Sequence, residues 1–96
     1  MKSCEEIVKL LASNKLHFER RFKVRRIGVF GSVARGDAIP GSDIDIIVDV
    51  DPSIGLDFVT LADEIERLLG EHVDVISHRA INSRHWREIE QEIVYV

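Results

Sequence analysis

Cysteine is almost missing from this 96-residue chain: Cys4 is the only one. No internal disulfide can form, which fits a reducing cytoplasm better than a secreted, disulfide-stapled domain. A lone cysteine near a chain end is usually inert, and Cys4 is assigned no nucleophilic role. Long apolar runs are missing too, and the longest falls far short of the ~20 residues of a membrane span. Glu5, Glu6 and Lys9 interrupt the N-terminal segment, so a secretory h-region is not expected. There is no excess of positive charge. A formal net charge of −4 suits general binding of nucleic-acid backbones poorly, because that binding rests on many phosphate contacts. Internal repeats and low-complexity stretches are absent. So are the phosphate loops G-x-x-x-x-G-K-[ST] and G-x-G-x-x-G. His17, His72, His78 and His85 have no zinc-ligand spacing.

What is present is globular. Hydrophobic residues make up 45% and charged residues 31%, and the length suits one domain over residues 1–96. Ser3 and Glu6 have capping-box spacing, and Ile7, Leu10, Leu11, Phe18 and Phe22 recur at helical period, predicting one helix from about residue 3 to about 20. Val24 to Phe30 reads as a strand, apolar on both faces in its inner part and therefore central in a sheet. A helical turn over Ser32-Val33-Ala34-Arg35 and an irregular loop through Pro40-Gly41 follow. From Asp43 to Val50 the pattern alternates, with Ile44, Ile46, Val48 and Val50 on one face and Asp43, Asp45 and Asp49 on the other. Asp49 and Asp51 are placed to cap the turn at Pro52. A helix with the stripe Phe58, Leu61, Ala62, Ile65, Leu68 and Leu69 ends at Gly70. A strand from His72 to Ile76 is next. A last helix, capped by Asn82 or Ser83, has the apolar face Trp86, Ile89, Ile93 and Val94. The fold class is α/β (α+β), a short sheet flanked by helices. The basic cluster Lys15, Arg20, Arg21, Lys23, Arg25 and Arg26 either complements a helix C-terminus or docks an anion.

The chemistry sits on three features. Asp43 and Asp45 are two apart on a strand, so their side chains point the same way, with backbones ~7 Å apart. Carboxylates that close repel unless a cation or proton lies between them, and aspartate is a poor strand former. Hard oxygen ligands suit Mg²⁺; an exposed strand start capping a turn is the plainer alternative. Asp74 lies between Val73 and Val75, where a buried, unpaired carboxylate would be expensive. Either it pairs with a base such as Arg79, or its strand lies beside the second and three carboxylates converge, enough for two divalent ions. Gly31-Ser32 closes the first strand and opens a helical turn, where glycine lets a phosphate approach free N–H donors; an ordinary glycine-serine turn would look the same.

Gly31-Ser32-Val33-Ala34-Arg35-Gly36, then Ser42-Asp43-Ile44-Asp45, then Val73-Asp74-Val75 resembles the composite signature of the polymerase-β-like nucleotidyltransferase superfamily, and within it the minimal nucleotidyltransferases. The resemblance covers nearly the whole chain. It implies the nucleotidyltransferase fold, with a short mixed β-sheet. It also implies transfer of a nucleoside monophosphate, AMP from ATP, to an acceptor hydroxyl with release of pyrophosphate. Carried over, Gly31 and Ser32 hold the β- and γ-phosphates; Asp43 and Asp45 bind both Mg²⁺ ions; Asp74 completes the metal nearest the acceptor and helps deprotonate its hydroxyl. Arg35 touches the phosphates or fixes the loop, and Ser42 shapes the loop. Larger relatives have a further domain for the acceptor, so here a partner or a homodimer surface would present it. The resemblance implies an antitoxin paired with a HEPN-domain toxin, adenylylating a tyrosine of that toxin. A catalytically idle antitoxin acting by contact, and an enzyme modifying an aminoglycoside-like small molecule, are the alternatives. Tyr95 near the terminus is either a self-modification site or an ordinary packed tyrosine.

Overall fold

Residues 2–96 are described by a computed structural model. The first helical stretch is two helices, not one: α1 (Cys4–Ser13) and α2 (Lys15–Phe22). Ser3 caps α1 with the expected reciprocal pair, its Oγ accepting from the Glu6 N–H while Glu6 accepts from the Ser3 N–H. The break falls at Asn14. Its side-chain amide donates to the Leu10 carbonyl at 3.1 Å, and its own N–H turns to Leu11 instead. An asparagine side chain thus takes the acceptor that the next helical turn would have used. At the end of α2, Lys23 adopts φ +56 and sends the chain into β1 (Val24–Phe30).

Then come α3 (Gly31–Arg35), β2 (Ile44–Val50), α4 (Asp57–Leu69), β3 (Val73–Ser77), α5 (Ser83–Ile89) and β4 (Val94–Tyr95). Asp51 caps the short 3₁₀ turn Pro52–Ile54 by accepting from the Ser53 N–H at 2.9 Å; Asp49 lies one rung into the sheet, opposite Arg26. Gly70 ends α4 with φ +66, as its position predicts.

The strands form one mixed sheet in the order β3-β2-β1-β4. β2 runs antiparallel to β1 and parallel to β3. The central place of β1 explains why Ile27, Val29 and Phe30 are all buried. Ile44, Ile46, Val48 and Val50 turn to the core, where they join Ile7 and Leu11 of α1, Phe18 and Phe22 of α2, and Leu61, Ile65 and Leu69 of α4. Each such side chain contributes about 1.5–3 kcal/mol relative to exposure. The period-2 pattern of β2 therefore drives its aspartates to the opposite face.

The C-terminus departs from expectation. α5 is capped by Asn82, which accepts from the His85 N–H at 2.9 Å. It ends at Ile89, and Ile93 and Val94 are not part of its apolar face. Instead Val94 pairs with Val29 and Tyr95 with Gly28, and the Val96 N–H donates to Ile27 at 2.9 Å. The β-branched run Ile93-Val94 favours a strand, and β1 offers an unpaired edge. Gly28 makes room, since a Cβ there would stand 2.6 Å from Ile93 Cγ2.

Trp86 is half-buried, edge-on to His78. The basic cluster is largely occupied at the surface: Arg21 meets Asp57, Arg25 meets Asp51, and Arg26 lies over the Tyr95 ring. Among the described residues, no helix is long and apolar enough to cross a membrane.

Candidate active site

The parallel register of β2 and β3 brings the sequence-separated carboxylates together. Asp45 stands directly opposite Asp74. One rung earlier Ile44 faces Val73, and the Ile44 N–H donates to the carbonyl of His72 at 3.3 Å, so the ladder begins at the level of Asp43 and His72. Side chains two apart share a face. Asp45 on β2 with Asp43 just before that strand, and Asp74 on β3 with His72 just before it, therefore make a four-cornered polar patch on the face away from the helical core.

The corners differ in burial. Asp43, His72 and Asp74 are exposed, and Asp45 is half-buried. Asp74 is thus not the buried carboxylate that its apolar neighbours suggested, because β3 is an edge strand and this face lies open to water. Among the described residues Asp74 makes no ion pair, and Arg79 does not reach it. Burial pushes the Asp45 carboxyl above its usual range, and the charges of Asp74 and Asp43 push it further, opposed by Arg35. Asp43, His72 and Asp74 can each turn one ligand atom to within 4.8 Å of the others. Oxygen donors crowded in this way, with one carboxyl resisting ionisation, fit a divalent cation.

The spacing of the four histidines gives no sign of His72. The signal lay in His72-Val73-Asp74 set beside Asp43-Ile44-Asp45, which is informative only once the two strands are known to pair in register. His72 Nε2 is 3.9 Å from Asp43 Oδ1, and its Nδ1 is 3.6 Å from Glu66 Oε1.

Gly31 follows Phe30, which pairs with Asp45 across β1 and β2. It has φ +73, and a Cβ at this position would overlap Asp45 Oδ2. Glycine is needed here for both reasons. Its N–H donates to Glu92 Oε1 at 3.1 Å. Arg35 donates from Nη1 to Glu92 Oε2 at 3.0 Å and from Nε to Asp37 at 3.1 Å. Ser32 is the second residue of α3 and is half-buried. Ser42 Oγ accepts from the Ile39 N–H at 3.0 Å, a contact inside the loop. Glu92 has no local sequence signal, since it lies 61 residues from Gly31.

Residues 13–96 match the sequence profile of the nucleotidyltransferase domain. A solved structure given the provisional description of a minimal nucleotidyltransferase superposes with a TM-score of 0.80 at 31% identity, covering 97% of this chain and 95% of its own. The chain is a minimal nucleotidyltransferase. The mixed sheet and its flanking helices are the nucleotidyltransferase fold, and the protein is an enzyme of the nucleotidyl-transfer class. This minimal nucleotidyltransferase is 42% identical over 98 aligned positions to the protein adenylyltransferase MntA of Thermococcus cleftensis, with 100% of this chain and 98% of the relative covered. It is 36% identical to a Methanocaldococcus jannaschii protein provisionally named a protein adenylyltransferase, with 100% of both chains covered.

Proposed function

We propose that this minimal nucleotidyltransferase transfers AMP from ATP to a hydroxyl of a protein acceptor, with two divalent ions, Mg²⁺ by default, held by Asp43, Asp45 and Asp74. The observation that carries this reading is the facing pair Asp45 and Asp74 with Gly31 packed against Asp45, supported by the names of the relatives. Bound cations would supply Lewis-acid stabilisation of charge on the reacting phosphate. The Gly31 N–H and the Ser32 hydroxyl would bind the β- and γ-phosphates, and Arg35 would reach them or hold the loop in place. Asp74 would accept the proton as the acceptor oxygen bonds to the α-phosphorus and the bond to the pyrophosphate oxygen breaks. Ser42, bonded to the Ile39 N–H, would keep the loop before Asp43 in shape.

The acceptor fits best as a tyrosine of a HEPN-domain toxin, with this protein acting as its antitoxin in the cytoplasm. An open, shallow patch of exposed carboxylates suits an acceptor delivered on another macromolecule. A homodimer surface could serve the same end.

The test uses ATP labelled on the α- or the γ-phosphate, with Mg²⁺, the protein and a lysate of its source cells. Label that is lost when the Asp43→Ala, Asp45→Ala variant replaces the protein should come from α-labelled ATP alone. Label from γ-labelled ATP with the same dependence on Asp43 and Asp45 would mean phosphoryl transfer and would end the proposal. Metal identity gives a second expectation. Imidazole nitrogen favours Mn²⁺ and later transition metals over Mg²⁺. Titrated by calorimetry, His72→Ala should therefore bind Mn²⁺ about tenfold more weakly, with little change for Mg²⁺. Unchanged Mn²⁺ binding would remove His72 from the metal site.

A further inference from the structure

Two donors that the proposed reading gives to the nucleotide are already in use. The Gly31 N–H points at one oxygen of Glu92, and Arg35 Nη1 points at the other. Glu92 enters from the far end of the chain, at the start of the segment that continues into β4 against β1. Its side chain is only 21% exposed, and its charge adds to those of Asp74 and Asp43 in opposing ionisation of Asp45. A fourth acid beside three others is electrostatically unfavourable. What offsets that repulsion is the same backbone amide and guanidinium that an anionic substrate would need.

We propose that Glu92 is a built-in competitor for the triphosphate. Its carboxylate occupies the donors that the triphosphate needs and must swing away when nucleotide binds. A carboxylate and a phosphate cannot share one N–H and one guanidinium arm without close contact between like charges. Triphosphate affinity is therefore lowered by the fraction of molecules in which Glu92 is docked. The device has two consequences. The Gly31 N–H and Arg35 Nη1 are held to the two oxygens of one carboxylate, so the donors converge. The C-terminal segment loses an anchor whenever nucleotide is bound, which ties the position of residues 90–92 to the state of the site. The inference rests on the proposed placement of the phosphates at Gly31 and Arg35.

The test is equilibrium binding by the full chain, with α,β-methylene-ATP and adenosine as probes at saturating Mg²⁺. Wild type is compared with Glu92→Gln and Glu92→Ala, and with Glu90→Gln, which removes the same charge from an exposed position of the same segment. Both Glu92 variants should bind the triphosphate analogue about tenfold more tightly. Adenosine, which lacks phosphates, should bind unchanged, and Glu90→Gln should resemble wild type. Unchanged or weaker triphosphate binding in the two Glu92 variants, with their circular dichroism intact, would overturn the competitor role. Equal tightening by Glu90→Gln would also overturn it, by reducing the effect to net charge. Binding of the analogue that is indifferent to Glu92 leaves the proposed function standing. No binding of the analogue by any of the four proteins would end both.

Discussion

Asp45→Asn is expected to abolish nucleotidyl transfer and, at the same time, to raise the melting temperature of the metal-free protein. The two effects share one cause. Asp45 is the half-buried corner of the patch, facing Asp74 across the ladder and sharing a face with Asp43. Burial and those neighbouring charges raise its carboxyl above the ordinary 3.8. A group whose folded pKa is raised binds its proton more tightly in the folded state. Its ionisation therefore costs stability, a cost absent below 3.8 and complete once the pH passes the raised folded value. At neutral pH, above 3.8, the wild-type protein carries that cost and the amide variant does not. Removing a carboxylate proposed to bind both metals should lower transfer by about a thousandfold or more, several kcal/mol of transition-state stabilisation. Melting curves at pH 7, with and without Mg²⁺, check the stability half. The variant should melt higher than wild type without metal, and added metal should stabilise only the wild type. A variant that melts lower in metal-free buffer would show that Asp45 holds the fold together and does not strain it. Full transfer by the variant would sink its assignment as a ligand.

Gly31→Ala should be the most damaging change that adds a single methyl group. A non-glycine residue at φ +73 costs about 1–2 kcal/mol in backbone strain alone. The added Cβ would also overlap the Asp45 carboxylate, so the turn or Asp45 must move. Displacements of about 1 Å at a reacting centre can cost about a hundredfold in rate, and a drop of that order in transfer is expected. Gly41→Ala is the matched control. Its φ is +91, but nothing lies within 4 Å of the added Cβ. It should show a comparable strain in the melting temperature with transfer largely kept. Similar losses of transfer in both variants would mean that the glycine at position 31 serves only backbone freedom, not close approach to Asp45.

Much of this architecture was legible locally. The capping box at Ser3, the αL cap at Gly70, the alternation from Asp43 to Val50 and the helical stripe from Phe58 to Leu69 are each set by physics acting over four residues or fewer. The alternation alone placed Asp43 and Asp45 on one face, because Ile44, Ile46 and Val48 had to be buried. Short-range competition also explains why the first helical stretch is two helices. Asn14 ends α1 through a side-chain bond to Leu10 that no hydrophobic periodicity reveals.

What remained hidden involves partners distant in sequence. Asp74 meets Asp45, and His72 comes level with Asp43, only because β2 and β3 pair in parallel and in one register. Burying the core on the far side of the sheet fixes that register, since a slip of one residue would turn every apolar side chain outward. The exposure of Asp74 follows from β3 being an edge strand, a property of strand order and not of Val73 or Val75. The spacing of Ile93 and Val94 from Trp86 and Ile89 fits a helix face while their β-branching favours a strand, and the free edge of β1 decided Val94 for the strand. The same pairing carries Glu92 to Gly31 and Arg35. The sequence by itself determined which residues bring oxygen donors and a free backbone N–H, because those properties belong to side-chain chemistry and local backbone freedom. The tertiary structure decided which of them meet, because meeting depends on how the whole core is buried.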